Sequence, residues 1–261
     1  MPCLIRGWFE IIVMTSNEVN KQNQESIQNS LDQYFVDITS ECPYRMPQHA
    51  VYHQAFFGSL PDATMDFFFR NGYRRNGNCM YSMRCPGCRE CIPIRLNPKD
   101  FSRNRNQKRV WARNRDVSVG LAPLTMSAEN LVLLDRFLNK RFPDGRANAE
   151  SYYSGFFITS MTKCFEIRYR VADQLLGVAI VDCSDDWLNA VYFYFDPDQR
   201  DRSPGTLNIL YLIEFCLRHG IHHIYLGYWI NKVKGMEYKS AFKPHELFLD
   251  EEWKSVPNVS R

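Results

Sequence analysis

Residues 164–195 read CFEIRYRVADQLLGVAIVDCSDDWLNAVYFYF. Three runs rich in β-branched and aromatic residues are separated by Ala-Asp-Gln and Ser-Asp-Asp. Connections that short suit antiparallel neighbours, so CFEIRYRVA, LLGVAIVDCS and WLNAVYFYF predict a three-stranded meander. Asp196-Pro197-Asp198 ends the third strand. From Thr206 an apolar pattern at helical spacing reaches His219, and Gly220 supplies the stop. HHIYLGYW follows as a strand, and a strand–helix–strand crossover makes it parallel to the third strand. A shorter helix over 231–241 and a strand HELFLDEEW complete the pattern.

Working back from the meander, SYYSGFFIT (151–159) predicts a helix, and Ser127 opens an amphipathic one over AENLVLLDRFLNKRF. The order two helices, three strands, helix, strand, helix, strand is that of the GNAT acyltransferase fold. That fold works where its sheet splays, between the meander's last strand and the crossover strand. Element order is an analogy about fold and says nothing of activity.

Residues 34–120 have a different texture. VYHQAFF (51–57) alternates as a strand, and Thr64–Gly72 predicts a short capped helix. YRRNGNCMYSM holds an Asn-Gly turn between short strands, IPIRL is another strand, and Ser102 caps a basic helix ending near Arg115. The fold class is therefore α+β: a small cysteine-containing α/β domain over 34–120, then a GNAT-like domain with a mixed, splayed sheet over 121–261. The polar, Asn/Gln-rich stretch before residue 34 is expected to be a weakly ordered leader over 1–33, with Met1 or Met14 as the start.

The whole chain carries only +3, but charge is unevenly placed. Arg70–Arg115 holds thirteen Lys/Arg against Glu90 and Asp100, so the remainder is net acidic. Such asymmetry is the footprint of a polyanion or a solvated basic face. Arg103, Arg105, Lys108, Arg109, Arg113 and Arg115 are arginine-rich phosphate-binding candidates, with Val110 and Trp111 left for the core. No base-reading motif accompanies them, so recognition by shape and backbone is expected rather than a sequence code, and the pattern speaks more for an anion than for RNA; no DNA partner is expected. The longest apolar runs are strand-sized, so no membrane span is expected. Nine cysteines with no framework spacing fit a reduced, cytoplasmic setting.

Cys85, Cys88 and Cys91 form a C-x-x-C-x-x-C knuckle, with Cys42 as the natural fourth thiolate. Zinc, an iron–sulfur cluster and a packed group of reduced thiols all fit that pattern. Arg202-Ser203-Pro204-Gly205-Thr206 feeds a helix N-terminus, a setting for anions. It matches only the first part of a pyrophosphate-binding loop. A last cluster, Tyr228, Glu237, Tyr238 and Lys239, follows the crossover strand.

Several blocks occur in order: CPY at 42–44, GYRRNG at 72–77, CPGCREC at 85–91 and SRNRNQKRVWARNRD at 102–116. VYFYFDPD at 191–198, RSPGT at 202–206, YLGYWI at 225–230 and MEYKSAFKPHELF at 236–248 continue them. From Cys42 to Trp253 the chain resembles the bacterial branch of the arginyl-tRNA–protein transferase family, the aspartate/glutamate leucyltransferases in particular. Pro204 stands where that family commonly has leucine and Asn76 where it has serine. The resemblance implies transfer of leucine from leucyl-tRNA to proteins beginning with Asp or Glu, marking them for N-degron degradation, with no cofactor required for the chemistry. The ester is already activated, and an α-amino group of pKa ~8 is about one tenth neutral at pH 7. Within that chemistry Asp196 is the expected base or orienting group, Glu237 the second choice, and Tyr228 the oxyanion or leaving-group donor. Arg74, Arg75 and Lys239 are the cations for the acceptor's carboxylate. Arg202, Ser203, Gly205, Thr206 and Tyr238 complete the substrate contacts. Arginine as the transferred residue, an acetyl-CoA-dependent N-acetyltransferase and a non-catalytic zinc-dependent RNA-binding protein are the alternatives. The oligomeric state is not legible.

Overall fold

The computed structural model describes residues 31–142, 148–231 and 233–257. The expected leader thus lies, except for residues 31–33, outside the described residues. The chain from Val36 onward forms one compact unit, separate from the unit that ends at Phe35.

Two sheets build the larger unit. The smaller has the order β1-β2-β4-β3, from β1 (Val36–Ser40), β2 (Ala50–Phe56), β3 (Arg74–Asn76) and β4 (Cys79–Met83). All its pairings are antiparallel. Gly77 and Asn78 turn β3 into β4, with Gly77 at φ 57°. The larger sheet is mixed and has the order β12-β11-β5-β10-β9-β8-β7-β6. Its strands are β5 (Ile92–Leu96), β6 (Val117–Pro123), β7 (Cys164–Val171), β8 (Gln174–Cys183), β9 (Trp187–Phe195), β10 (His223–Trp229), β11 (His245–Leu249) and β12 (Glu252–Val256). The predicted meander is β7-β8-β9, and β10 pairs parallel to β9.

Side-chain alternation in β8 explains the layering. Val178 and Ile180 face a cluster with Leu134, Phe137 and Leu138 of α3 (Ala128–Arg141) and Tyr153 of α4 (Ala149–Phe156). Ala179 and Val181 face the other way, toward Leu210 and Ile213 of α5 (Pro204–His219) and Val110 of α2 (Arg105–Arg113). A strand with helices on both faces reads as a continuous apolar run, which is the LLGVAIV pattern. Each fully buried Leu, Ile or Val contributes roughly 1.5–3 kcal/mol. In α1 (Asp62–Arg70), Phe69 seats its ring 4.9 Å from Trp187 and 5.4 Å from Tyr225, tying the helix to the large sheet.

The sequence-based outline needs several corrections. The boundary at residue 120 does not run between the sheets: β5 lies between β11 and β10, inside the larger one. The basic helix is capped by Asn104, not Ser102. Asn104 and Gln107 form a reciprocal capping box, each side chain accepting from the other's backbone N–H at 2.9 Å. Helix α5 begins at Pro204, two residues before Thr206, because proline suits the first helical turn. HELFLDEEW is a hairpin rather than one strand: Asp250 and Glu251, at φ 54° and 64°, turn β11 into β12. Strands β1 and β6 were not anticipated. The helix expected over 231–241 is the single turn α6 (Lys234–Glu237) followed by 3-10 residues Tyr238–Ala241. Among the described residues no helix is long and apolar enough to cross a membrane.

What positions the site is the junction of β9 and β10. They pair only through Trp187–Asn189 and His223–Tyr225, and a bulge follows in β10. At the bulge Gly227 sits at φ 85°. Beyond Asn189 the two strands part.

Candidate active site

A cavity of about 990 Å³ opens where β9 and β10 separate. Its walls come from both sheets and both helical layers. Strands β3 and β4 bring Arg74 and Tyr81, the end of α3 brings Phe137, Lys140 and Arg141, and α4 with the residue after it brings Tyr152 and Phe157. Strand β9 adds Tyr192, the turn into α5 adds Arg200, Ser203, Gly205 and Thr206, and the stretch after β10 adds Tyr238 and Lys239. Seven lysine and arginine residues line the cavity, and among the described residues no Asp or Glu does. That balance favours anions and opposes cationic guests.

Arg74 is the group best placed to use that field. Its Nη2 donates to the Ala190 carbonyl at 3.4 Å, while Nε and Nη1 are buried and find no hydrogen-bond partner among the described residues. The guanidinium lies 5.9 Å from the centre of the Tyr228 ring. Gly227 makes room for it: a Cβ there would come within 2.5 Å of Arg74 Nη1. A guanidinium with unmet donors, in a cavity whose charged lining residues are all cations, can accept a carboxylate or phosphate.

Arg75, its neighbour, points along the opposite face of β3 and is fully engaged. It grips Asp182 through Nε at 2.8 Å and Nη2 at 2.7 Å, both side chains being fully buried. Nη1 donates to the carbonyls of Gly77 and Phe157. Arg75 therefore belongs to the framework and is not free to bind an acceptor.

Tyr228 and Lys239 both line the cavity. The Tyr228 hydroxyl is buried with no hydrogen-bond partner among the described residues. Burial holds its pKa well above the ordinary phenol value, so it remains an O–H donor at neutral pH. Lys239 Nζ donates to the Tyr228 carbonyl at 2.8 Å and approaches Met236 Sδ at 3.3 Å. Burial, reinforced by Arg74 and Arg141, holds this amine well below the usual lysine range.

The carboxylates expected to act as bases stand elsewhere. Asp196 is buried but does not line the cavity. It accepts from Arg136 Nη2 at 2.8 Å and from Asp198 N at 3.0 Å, so it caps the 3-10 turn Pro197–Arg202 and anchors α3. Glu237 also lies outside the lining. Arg202 is held by Asp116 in a two-pronged pair, 2.9 Å on each prong. Ser203, Gly205 and Thr206 do line the cavity. Ser203 adopts a left-handed conformation, and no side chain caps the first turn of α5, an arrangement that can meet an anion. Gly205 backs onto Tyr238: a Cβ there would meet the ring at 3.2 Å.

Just before the basic helix, Arg103 pairs with Glu214 at 2.6 Å and stacks 3.9 Å over Trp111, and at its end Arg113 donates to the Asp201 carbonyl. Arg105, Lys108, Arg109 and Arg115 are exposed. The Arg113–Asp201 and Arg202–Asp116 contacts tie this helix region to the turn that lines the cavity.

Cys42, Cys85, Cys88 and Cys91 all line a second, small cavity together with His49. A knuckle turn, with Gly87 at φ 70° and Cys88 N bonded to Cys85 O, presents the last three. Burial and the three other thiols push Cys91 up to about 12. The donor type and number suit zinc or an iron–sulfur cluster. Among the described residues no group of His, Cys, Asp or Glu is closed to metal-binding geometry.

The sequence reading missed Lys140, Arg141, Arg200, Tyr152 and Tyr192. Lys140 and Arg141 look like ordinary cations at a helix C-terminus, and only the fold turns them into the cavity.

Comparison with known proteins bears on the whole of this architecture. Residues 40–109 match the family described as arginine-tRNA-protein transferase, N terminus, and residues 129–249 match the corresponding C terminus. An aspartate/glutamate leucyltransferase of Acinetobacter baumannii is 33% identical over 238 residues, covering 89% of this chain and 87% of that protein. One of Nitrosococcus oceani is 38% identical over 201 residues, covering 74% of this chain and 84% of that protein. Among solved structures, the C-terminal domain of a putative lysylphosphatidylglycerol synthetase from Agrobacterium fabrum aligns at 10% identity with a TM-score of 0.43, covering 81% of this chain and 79% of that one. Two family models in sequence order and relatives above 30% identity over most of both chains establish that this chain is a transferase belonging to the arginine-tRNA-protein transferase family.

Proposed function

We propose that this enzyme moves leucine from leucyl-tRNA to the α-amino group of proteins that begin with Asp or Glu, and so marks them for degradation by an N-degron route in the cytoplasm. The observation that carries the reading is the cavity: cationic and aromatic-walled, with two Arg74 nitrogens lacking a hydrogen-bond partner and no carboxylate in the lining among the described residues. An acidic acceptor side chain gains a charge-assisted pair with Arg74 there, and an acceptor beginning with Lys meets only repulsion. The same argument bears on the donor. A transferred arginine needs an anion for its guanidinium, whereas a leucyl side chain needs only apolar walls, which Phe137, Phe157 and the rings of Tyr152 and Tyr192 offer.

The working parts follow from that assignment. Ser203, Gly205 and Thr206 receive the terminal phosphate of the tRNA at the α5 N-terminus. Arg105, Lys108, Arg109 and Arg115, with Arg103 and Arg113, hold backbone phosphates further out. The Tyr228 hydroxyl faces the ester carbonyl and donates to the oxyanion that develops as the amine attacks. The meander, the short parallel pairing of β9 with β10 and the crossover helix α5 support a GNAT-like fold for this half. The four cysteines act as a structural centre, holding zinc or an iron–sulfur cluster, that pins the β1-β2-β4-β3 sheet. A metal there contributes no step to the transfer.

Transfer of labelled leucine and labelled arginine from their charged tRNAs to peptides beginning with Asp, Glu and Lys tests the reading. Ribonuclease-sensitive leucine transfer to the Asp and Glu peptides alone is expected. Arginine transfer, equal use of the Lys peptide, or label passing from acetyl-CoA without tRNA would each overturn it.

A further inference from the structure

Lys239 is a buried amine with no counter-ion among the described residues. The charged and titratable groups that face it are Arg74 from β3, Arg141 from the end of α3, and the phenols of Tyr228 and Tyr238. Glu237, two residues earlier, stands outside the cavity lining. Its two contacts, the Tyr228 carbonyl and Met236 Sδ, are neutral acceptors. A neutral amine has two N–H donors and one lone pair. Those two contacts use both donors and leave the lone pair, on a side chain that lines the cavity. The protonated form would add a third cation beside Arg74 and Arg141 with nothing to balance it.

We infer that Lys239 is the proton acceptor of the transfer reaction, taking a proton from the acceptor's α-ammonium group and delivering it to the leaving ribose oxygen. The inference rests on the aminoacyl transfer proposed above and adds the group that moves the proton. The balance is complete without another reagent. The α-ammonium gives one proton to Lys239 and becomes a nucleophilic amine. Its nitrogen forms a bond to the ester carbon, and the carbon–oxygen bond to the ribose breaks. The attacking nitrogen loses a second proton as the amide forms. One proton ends on the ribose hydroxyl and one returns to solvent, which resets Lys239 as the neutral amine. The depressed basicity of a buried lysine suits this exchange, because an ordinary lysine would stay protonated at neutral pH.

The test uses the full-length enzyme with leucyl-tRNA and an Asp-initiated peptide. Lys239→Met is expected to lower kcat about a hundredfold while KM for the peptide changes by less than about threefold. Lys239→Arg brings a fixed positive charge and cannot act as a base, and is expected to be as slow. A peptide beginning with 3-fluoroaspartate, whose amine is far less basic, is expected to recover most of the lost rate in both variants. Recovery by Lys239→Arg with the ordinary peptide, or a raised KM at unchanged kcat, would make Lys239 a binding cation and overturn the inference. Should both variants fail to fold, competitive acetylation of the wild-type protein, read at Lys239 by mass spectrometry across pH, decides. Titration in the ordinary lysine range sinks the idea, and titration near neutrality supports it. Absence of leucine transfer by the wild-type enzyme itself counts against the proposed function rather than against Lys239.

Discussion

Arg74 and Arg75 are adjacent in sequence, yet the structure gives them unlike tasks, and removing Asp182 exposes the difference. Arg75 joins β3 of the smaller sheet to β8 of the larger through Asp182, and both side chains are fully buried. Asp182→Ala leaves the guanidinium with only the Gly77 and Phe157 carbonyls and the Cys164 sulfur. Breaking a buried pair by removing one partner costs about 3–5 kcal/mol, because the remaining charge is left in a medium that solvates it poorly. The Asn189 amide, which donates to Asp182 at 2.9 Å, loses its partner too, adding about 1 kcal/mol. For a unit of this size each kcal/mol shifts Tm by roughly 2–4 °C, so a fall on the order of 10 °C is expected by thermal unfolding. Replacing both partners, as Arg75→Met with Asp182→Leu, removes the stranded charge and is expected to recover most of the loss. Arg74→Ala, by contrast, is expected to leave Tm nearly unchanged and to raise KM for Asp-initiated peptides at least tenfold, through loss of a charge-assisted bond of about 1.5–3 kcal/mol. A loss below about 1 kcal/mol in Asp182→Ala, or a selective acceptor defect in a stable Arg75→Met, would refute this division of labour.

Other expectations follow from the same geometry. Gly227→Ala puts a Cβ into the Arg74 guanidinium and onto a backbone at φ 85°. It is expected to cost about 1–2 kcal/mol in denaturant unfolding and to raise KM for acidic acceptors as Arg74→Ala does. Replacing Arg105, Lys108 and Arg109 together by Gln is expected to weaken tRNA binding and flatten the slope of log affinity against log salt by about 0.9 for each phosphate no longer neutralised, while peptide KM holds. Burial depresses the pKa of His223 and His245, so both stay neutral in the folded protein below the pH at which the unfolded chain takes up their protons. Their share of stability is whole above the unfolded value of about 6.5 and drains away as pH falls toward the folded values, by up to about 1.4 kcal/mol per pH unit for each. Urea titrations should record that fall, and His245→Gln should flatten it; an unchanged profile in that variant would clear His245 of the effect. Lys239 is depressed in the same sense, so at pH 7 it holds the folded state down. Lys239→Met is therefore expected to raise the unfolding midpoint even as transfer slows.

Wherever one period ruled, the sequence was enough. The short turns around LLGVAIV left the meander little freedom, and the structure then explains its unbroken apolar run by helices on both faces. Two kinds of feature were not legible. Asp250 and Glu251 make their turn at positive φ without a Gly or Asn to announce it, so the final hairpin read as one strand. The partner of a charge is set by tertiary packing, which hides whether an arginine is free. Arg202 in an RSPGT loop looked like a phosphate ligand, and only the fold brings Asp116, 86 positions away, against it. Asp196 at a strand end looked like a base, and only α3 brings Arg136 to it.

Whether buried polar groups are satisfied therefore separates scaffold from site more sharply than residue type does. Arg75, Asp182, Asp196 and Arg202 are charged and well placed in sequence, but each has its donors or acceptors met, and a met group has little left to offer a substrate. Arg74, Tyr228 and Lys239 have not: among the described residues two guanidinium nitrogens and one hydroxyl lack partners, and one amine lacks a counter-ion. Leaving such groups unmet costs the folded state at each position, a cost that packing alone gives no reason to keep. All three border one cavity, where β9 and β10 part around Gly227. A carboxylate, an ester oxygen and an ammonium proton would each meet one of these groups, and the transfer proposed above, from an aminoacyl ester to an acidic amino terminus, brings all three together.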